Sequence, residues 1–164
     1  MSRLFALRQV RKGYLAAVYP ALPRDHMRVE APIGRHPVNR KKMSTSTRAG
    51  RPAVSHFFEL CRGQSASLVL ARILTGRTHQ IRVHLHDECN AGVIGDQIYR
   101  RRSPHTSVSR QLLHAWYLAF PHPETGKEIE ITAPVPEDFS RFMRETQLTL
   151  DQDKALRLAR KTLT

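Results

Sequence analysis

The stretch Leu70-Ala71-Arg72-Ile73-Leu74-Thr75-Gly76-Arg77-Thr78-His79-Gln80-Ile81-Arg82-Val83-His84-Leu85 joins an apolar run to the densest polar cluster of the chain. Its first part continues a Leu-, Val- and Ile-rich run that starts at Ser67 and reads as a strand. Thr75-Gly76 breaks that run. Beyond the break two periods compete. Ile81, Val83 and Leu85 alternate as in a strand, whereas Thr78 as a cap with Ile81 and Leu85 at i,i+4 reads as a helix. Two arginines, a histidine and a glutamine beside a glycine turn can hold a phosphate or orient a carboxylate. A capped helix start with solvated cations would use the same residues.

Upstream, Val54, His56, Phe58 and Leu60 share one face of an alternating run, and Phe57 and Cys61 share the other. Gly63-Gln64-Ser65 turns this run into the one at Ser67, which predicts an antiparallel hairpin buried on both faces. Further upstream, Tyr14-Leu15-Ala16-Ala17-Val18 reads as a strand closed by Pro20 and Pro23, and residues 28–33 as a short second one. Residues 34–52 combine the breakers Gly34, Pro37, Gly50 and Pro52 with Arg35, Arg40, Lys41, Lys42, Arg48 and Arg51, the mark of an exposed basic loop or hairpin. Downstream, runs at 113–120 and 128–132 flank a turn at 123–126 and predict a second hairpin. After Pro134 and Pro136, Phe139, Phe142 and Met143 recur at helical spacing, and residues 149–163 form another helix by the same rule. The reading is an α+β fold with strands in the middle, and with residues 143–164 as a C-terminal helical extension to a domain over 1–142.

The 164 residues carry 27 Lys and Arg against 14 acids, a net charge of +13. Residues 1–56 hold 12 of those cations and only two acids, Asp25 and Glu30. Such polarity draws in a polyanion, most simply a nucleic-acid backbone, with the basic loop positioning it. No apolar run approaches the roughly 18 residues that span a membrane. MSRLFALRQVRKGY lacks the long apolar stretch of a secretory signal; its arginines leave organelle targeting as a second reading. With only Cys61 and Cys89 nothing demands a disulfide, so a cytoplasmic protein is expected.

Other chemistries fit poorly. His79, His84, His86 and Cys89 match no standard zinc spacing, and one helix or strand would not converge all four. His114 or His122 with Asp96 lacks a nucleophile elbow. Gly95-Asp96 before Tyr99 reads as a turn closed by an Asx-type hydrogen bond.

The run from Leu70 to Tyr99, LARILTGRTHQIRVHLHDECNAGVIGDQIY, resembles the TGRTHQIRVH…GD..Y signature of the RluA-type RNA pseudouridine synthases. The resemblance continues, in order, through Arg8 to Ala16 (the family's K-x-Y-x-A strand), Ala31 to Pro37, Gly50 to Ala53, Gln111 to Ala115, His122-Pro123 with Gly126, and Ala133 to Phe139. It implies the synthase catalytic fold, a mixed and mostly antiparallel sheet, with residues 78–86 on a helix. It also implies isomerisation of uridine to pseudouridine in structured RNA (ribosomal or transfer), with the base flipped out of the stack and no metal or organic cofactor. By position, Tyr14 matches the tyrosine that packs on the base and is a candidate for handling the C5 proton, and Arg82 matches the arginine that pairs with the catalytic aspartate. Arg77, His79 and Gln80 then stand at the N-terminal end of the helix, where RNA is favoured.

The family's nucleophilic aspartate lies in an R-L-D-x-x-[ST]-S-G element upstream of the K-x-Y strand. None of the 13 residues before Tyr14 is an aspartate, and Asn90-Ala91-Gly92 replaces the usual G-x-P. The expectation is therefore the C-terminal two-thirds of a synthase domain, with an incomplete core, open sheet edges and a missing segment that a partner chain would supply in trans. The competing functions are a non-catalytic RNA-binding module that retains the pocket and a small basic ribosome-associated protein. The ordered motifs disfavour the last.

Overall fold

A computed structural model describes residues 9–163. Arg8, the first residue of the expected K-x-Y strand, and the N-terminal targeting reading fall on or across residues outside that range. The element order is β1 (Arg11–Tyr19), β2 (His26–Glu30), β3 (Gly34–Arg35), β4 (Met43–Ser44), β5 (Val54–Arg62), β6 (Ser67–Ile73), α1 (Gln80–Asp87), β7 (Gly92–Val93), β8 (Leu113–Pro121), β9 (Glu128–Thr132), α2 (Glu137–Glu145) and α3 (Gln152–Arg160). The main sheet runs β2-β5-β6-β1-β8-β9, with β7 pairing on the end of β1. Every pairing among the described residues is antiparallel. The α+β, mostly antiparallel architecture read from the sequence is the one observed, and both expected hairpins form as β5–β6 and β8–β9.

Strand alternation assigns each side chain to a face. Leu15 and Ala17 of β1 enter a core with Phe58, Leu60, Leu68, Leu70, Trp116 and Tyr117, covered by Phe139, Phe142 and Met143 of α2 and Ala155 and Ala159 of α3. Ala16 and Val18 enter a second core with Phe57, Val69 and Ala71, covered by Ile81 and Leu85 of α1. The sheet is thus the middle of three layers. Strict alternation puts Cys61 on the Phe57 face, yet it packs on the Phe58 side. A register shift between Glu59 and Cys61 is the cause, since one extra residue inverts the facing of the strand beyond it.

The expected boundary at 142/143 falls inside α2, and α3 packs on the sheet instead of standing off as an appendage. Asp151 caps α3 by accepting from Lys154 N at 2.8 Å. At its other end buried Arg72 of β6 donates to the carbonyls of Leu158 (3.1 Å) and Lys161, satisfying groups a helix terminus leaves open. No helix of the described residues is long and apolar enough to cross a membrane.

Candidate active site

The ambiguous stretch is a helix, and its start is built differently from the sequence reading. The N-cap is His79, held left-handed at φ 58°, and no side chain caps the helix. The turn before it is closed by Gln80. Its Oε1 accepts from Thr75 Oγ1 (2.8 Å) and from Arg77 N (3.0 Å). Its Nε2 donates to Val54 O (2.9 Å) and Ser55 Oγ (3.0 Å). One turn on, His84 bonds Ser55 Oγ through Nδ1 at 2.9 Å and Ala31 O through Nε2 at 3.0 Å. These polar ties to β5 and the β2–β3 link, together with Ile81 and Leu85 in the core, fix α1 on the sheet.

That anchoring aims Arg82 at the turn after β7. Arg82 Nε donates to Asp96 Oδ2 at 2.6 Å and Nη2 to Oδ1 at 2.7 Å. The side chains are 9% and 0% exposed, a two-point ion pair shut away from water. Asp96 Oδ1 also accepts from the backbone of Ile98 (2.8 Å) and Tyr99 (3.0 Å), the Asx-type turn expected at this position. Burial alone would push the Asp96 carboxyl up, but the bonds from Arg82, Tyr99 and Ile98 outweigh it and hold it below the usual carboxylate range. Gly95 makes the turn possible. Its φ is +78°, and a Cβ there would lie 2.0 Å from Arg110 O.

Tyr99, buried beside this pair, is the hub. The Arg82 guanidinium lies 5.0 Å from its ring centroid, and Lys42 Nζ 5.8 Å. Its hydroxyl accepts from Met43 N at 2.7 Å and bonds His79 Nδ1 at 3.0 Å. The basic segment is a hairpin of β3 and β4 carrying Arg35, Arg40, Lys41 and Lys42 on its strands and tip. Beyond Tyr99, Asp87 at the end of α1 pins it, accepting from Ser44 Oγ (3.1 Å) and Thr45 N (3.0 Å). Arg77 stays at the surface, with Nε on Pro52 O at 3.1 Å.

Tyr14 is half-buried on the α1 face of β1, against the second core. It borders an apolar pocket of about 340 Å³ with Lys12, Ala115, Leu118, Ile131 and Ala133. Burial pushes the Tyr14 hydroxyl up and the Lys12 ammonium down. Tyr14 thus lies on the sheet face that α1 covers, and Arg82 is carried by α1 itself, with the basic hairpin fastened to the same helix.

One expectation changes and a second gains a partner. Gln80, read as an RNA contact, is 2% exposed and its amide is saturated by four internal hydrogen bonds, so it is a structural clasp. Arg82, read as the partner of a catalytic aspartate, has one edge of its guanidinium filled by Asp96. Asp96 and Tyr99 were missed as site residues, although a motif with a lone arginine on an apolar helix face implies a buried counter-charge. The residues weighed as zinc ligands disperse: His79 to Tyr99, His84 to Ser55 and His86 to Asp87.

The arrangement is that of the RNA pseudouridylate synthase domain fold. The human RNA Pseudouridylate Synthase Domain Containing 1 structure superposes with a TM-score of 0.80 at 26% identity, covering 98% of this chain and 70% of that one. Residues 1–87, more than half of the chain, match the profile of the RNA pseudouridylate synthase family, and the chain belongs to that family. Relatives include an uncharacterized RNA pseudouridine synthase of Chloroflexus aurantiacus, 41% identical over 140 residues, which are 85% of this chain and 43% of that protein. A ribosomal large subunit pseudouridine synthase D of Nitrosomonas europaea is 37% identical over 151 residues, 88% and 43% respectively. The chain therefore spans less than half the length of these curated relatives.

Proposed function

We propose that this chain is the RNA-gripping and base-holding part of an RNA pseudouridine synthase, which isomerises uridine to pseudouridine in structured ribosomal or transfer RNA. The observation that carries the reading is that Tyr14 lies on the sheet face covered by α1, the helix that carries the buried Arg82–Asp96 pair, in a member of this family. The reaction exchanges a C1′–N1 bond for a C1′–C5 bond within one substrate, with one proton lost from C5 and one gained at the freed N1. It is redox-neutral, and nothing in that balance calls for a cofactor. Tyr14 packs on the flipped base as a neutral phenol, and burial pushes its hydroxyl further above the ordinary tyrosine value. The guanidinium of Arg82 has five N–H donors, of which Asp96 engages two. The other edge can hold a second carboxylate, that of the R-L-D element, which these 164 residues lack. Arg35, Arg40, Lys41, Lys42, Arg77 and His79 grip phosphates.

The test is tritium release from RNA labelled at uridine C5. The chain alone should release none, and the chain mixed with a polypeptide carrying the R-L-D element should release tritium, with Arg82→Ala abolishing it. RNA bound by the folded mixture without any release would leave an RNA-binding module and overturn the isomerase reading.

A further inference from the structure

The loop after Tyr99 is the most one-sided charged feature outside the site described above. Residues 97–110, QIYRRRSPHTSVSR, contain four arginines and no acid. Arg110 is neutralised by Asp138, at 2.5 and 2.6 Å. Arg100, Arg101 and Arg102 are in no ion pair with any carboxylate among the described residues. Three adjacent cations without counter-charge repel one another unless an anion joins them.

They line a cavity of about 410 Å³ at the end of the sheet, together with Tyr19, Asp96 and His105. The loop is pinned. Arg101 Nη2 donates to His86 O, His105 Nε2 bonds Ser65 O at 2.9 Å, and the His105 ring lies edge-on to Phe142 at 5.0 Å. The Arg101 stem rests on Gly92, where a Cβ would come within 2.9 Å of Arg101 Cγ. Arg101 Nε is buried with no hydrogen-bond partner among the described residues, so the Arg101 head is held beneath the cavity surface and Arg100 and Arg102 are the exposed cations that face it. Asp96 does not cancel the local charge, since its carboxylate is spent on Arg82.

We propose that this cavity is a binding site for a phosphodiester of the RNA, held by Arg100 and Arg102 with Arg101 as its half-buried wall. The inference rests on the RNA reading above and extends it to a segment the sequence analysis left out. Asp96 contributes to both the cavity and the Arg82 pair, so a strand held here runs past the turn that fixes Arg82. A loop tied at three points loses little freedom on binding.

The test is fluorescence-anisotropy titration of a labelled RNA hairpin from 50 to 300 mM KCl. It compares the wild-type chain, Arg100→Gln/Arg102→Gln, Arg102→Gln alone and the charge-matched control Lys127→Gln/Arg157→Gln. All four substituted side chains are exposed, and circular-dichroism melts verify folding. Each phosphate contact contributes about 0.7–0.9 to the slope of log K on log salt, so the double variant should lose about 1.4–1.8 and bind about 25- to 60-fold more weakly near 0.1 M. Arg102→Gln should lose about half that slope, and the control should keep the wild-type slope. A double variant with the wild-type slope, or a control that loses as much, overturns the site while leaving the RNA reading intact. A wild-type chain that binds no RNA overturns both.

Discussion

Replacing Asp96 by alanine leaves the Arg82 guanidinium, 9% exposed, without the carboxylate that neutralises it. Removing one partner of a buried pair costs about 3–5 kcal/mol, because the other charge stays buried. The same change strips the backbone N–H groups of Ile98 and Tyr99 of their acceptor. Each buried donor left unpaired costs about 1–3 kcal/mol, though these losses overlap with the first because the turn relaxes as a unit. A loss of about 3–5 kcal/mol is a large share of the 5–15 kcal/mol typical of a domain. Urea unfolding followed by the fluorescence of Trp116, the single tryptophan and buried in the first core, measures it directly. Arg82→Met/Asp96→Ala should cost less than Asp96→Ala alone, since no charge is then stranded. A loss below about 1 kcal/mol for Asp96→Ala, or a double variant equal to the sum of the singles, would refute the reasoning.

Gln80→Ala should destabilise by about 2–3 kcal/mol, since it strands buried groups of Thr75, Ser55 and Val54 and frees the helix start. Hydrogen exchange at the α1 amides should rise with it, and unchanged exchange would contradict the clasp role. Gly95→Ala should cost on the order of 3 kcal/mol or more, because φ is positive and the added Cβ overlaps the carbonyl of Arg110; a thermal melt within a degree of wild type would contradict it. His56, pushed down to about 4 by burial and by the nearby His26, Arg28, Arg72 and Lys161, resists protonation in the folded state. Its stabilising contribution is complete above pH 6.5 and is lost as pH falls from 6.5 through about 4. The urea midpoint should drop across that window, and His56→Gln should flatten the drop without abolishing it, as His26 is also lowered.

The longer strands and both hairpins were legible because alternation and turn residues are local signals, whereas the two-residue β7 was not. The bulge at Glu59–Cys61 was not, since nothing in the pattern marks where an extra residue enters, and it reversed the face of Cys61. Residues 77–86 carry both periods, and the tie to β5 made by Gln80 and His84, a tertiary contact, is what holds them as a helix. The same distinction governs the site. Tyr14 and Arg82 stand in motifs that can be read along the chain, whereas the hold of Asp96 on Arg82 spans 14 residues and that of Tyr99 on Met43 spans 56. Cation density marked residues 34–52 as an exposed basic loop or hairpin, of which 34–44 form a hairpin, yet it could not tell that Lys42 would reach the Tyr99 ring. Nor could it distinguish Arg110, which pairs with Asp138, from Arg100–Arg102, which pair with no acid among the described residues.

The central claim, that the face bearing Tyr14 receives the uridine base, is tested most directly by photo-crosslinking. An RNA hairpin carrying 4-thiouridine at unpaired positions would be irradiated with the chain and the adduct located by mass spectrometry. The account predicts adducts at Tyr14 or at its pocket neighbours Ala115, Leu118 and Ile131, lost on competition with unlabelled RNA. Adducts confined to α2 and α3, on the opposite face of the sheet, would contradict it.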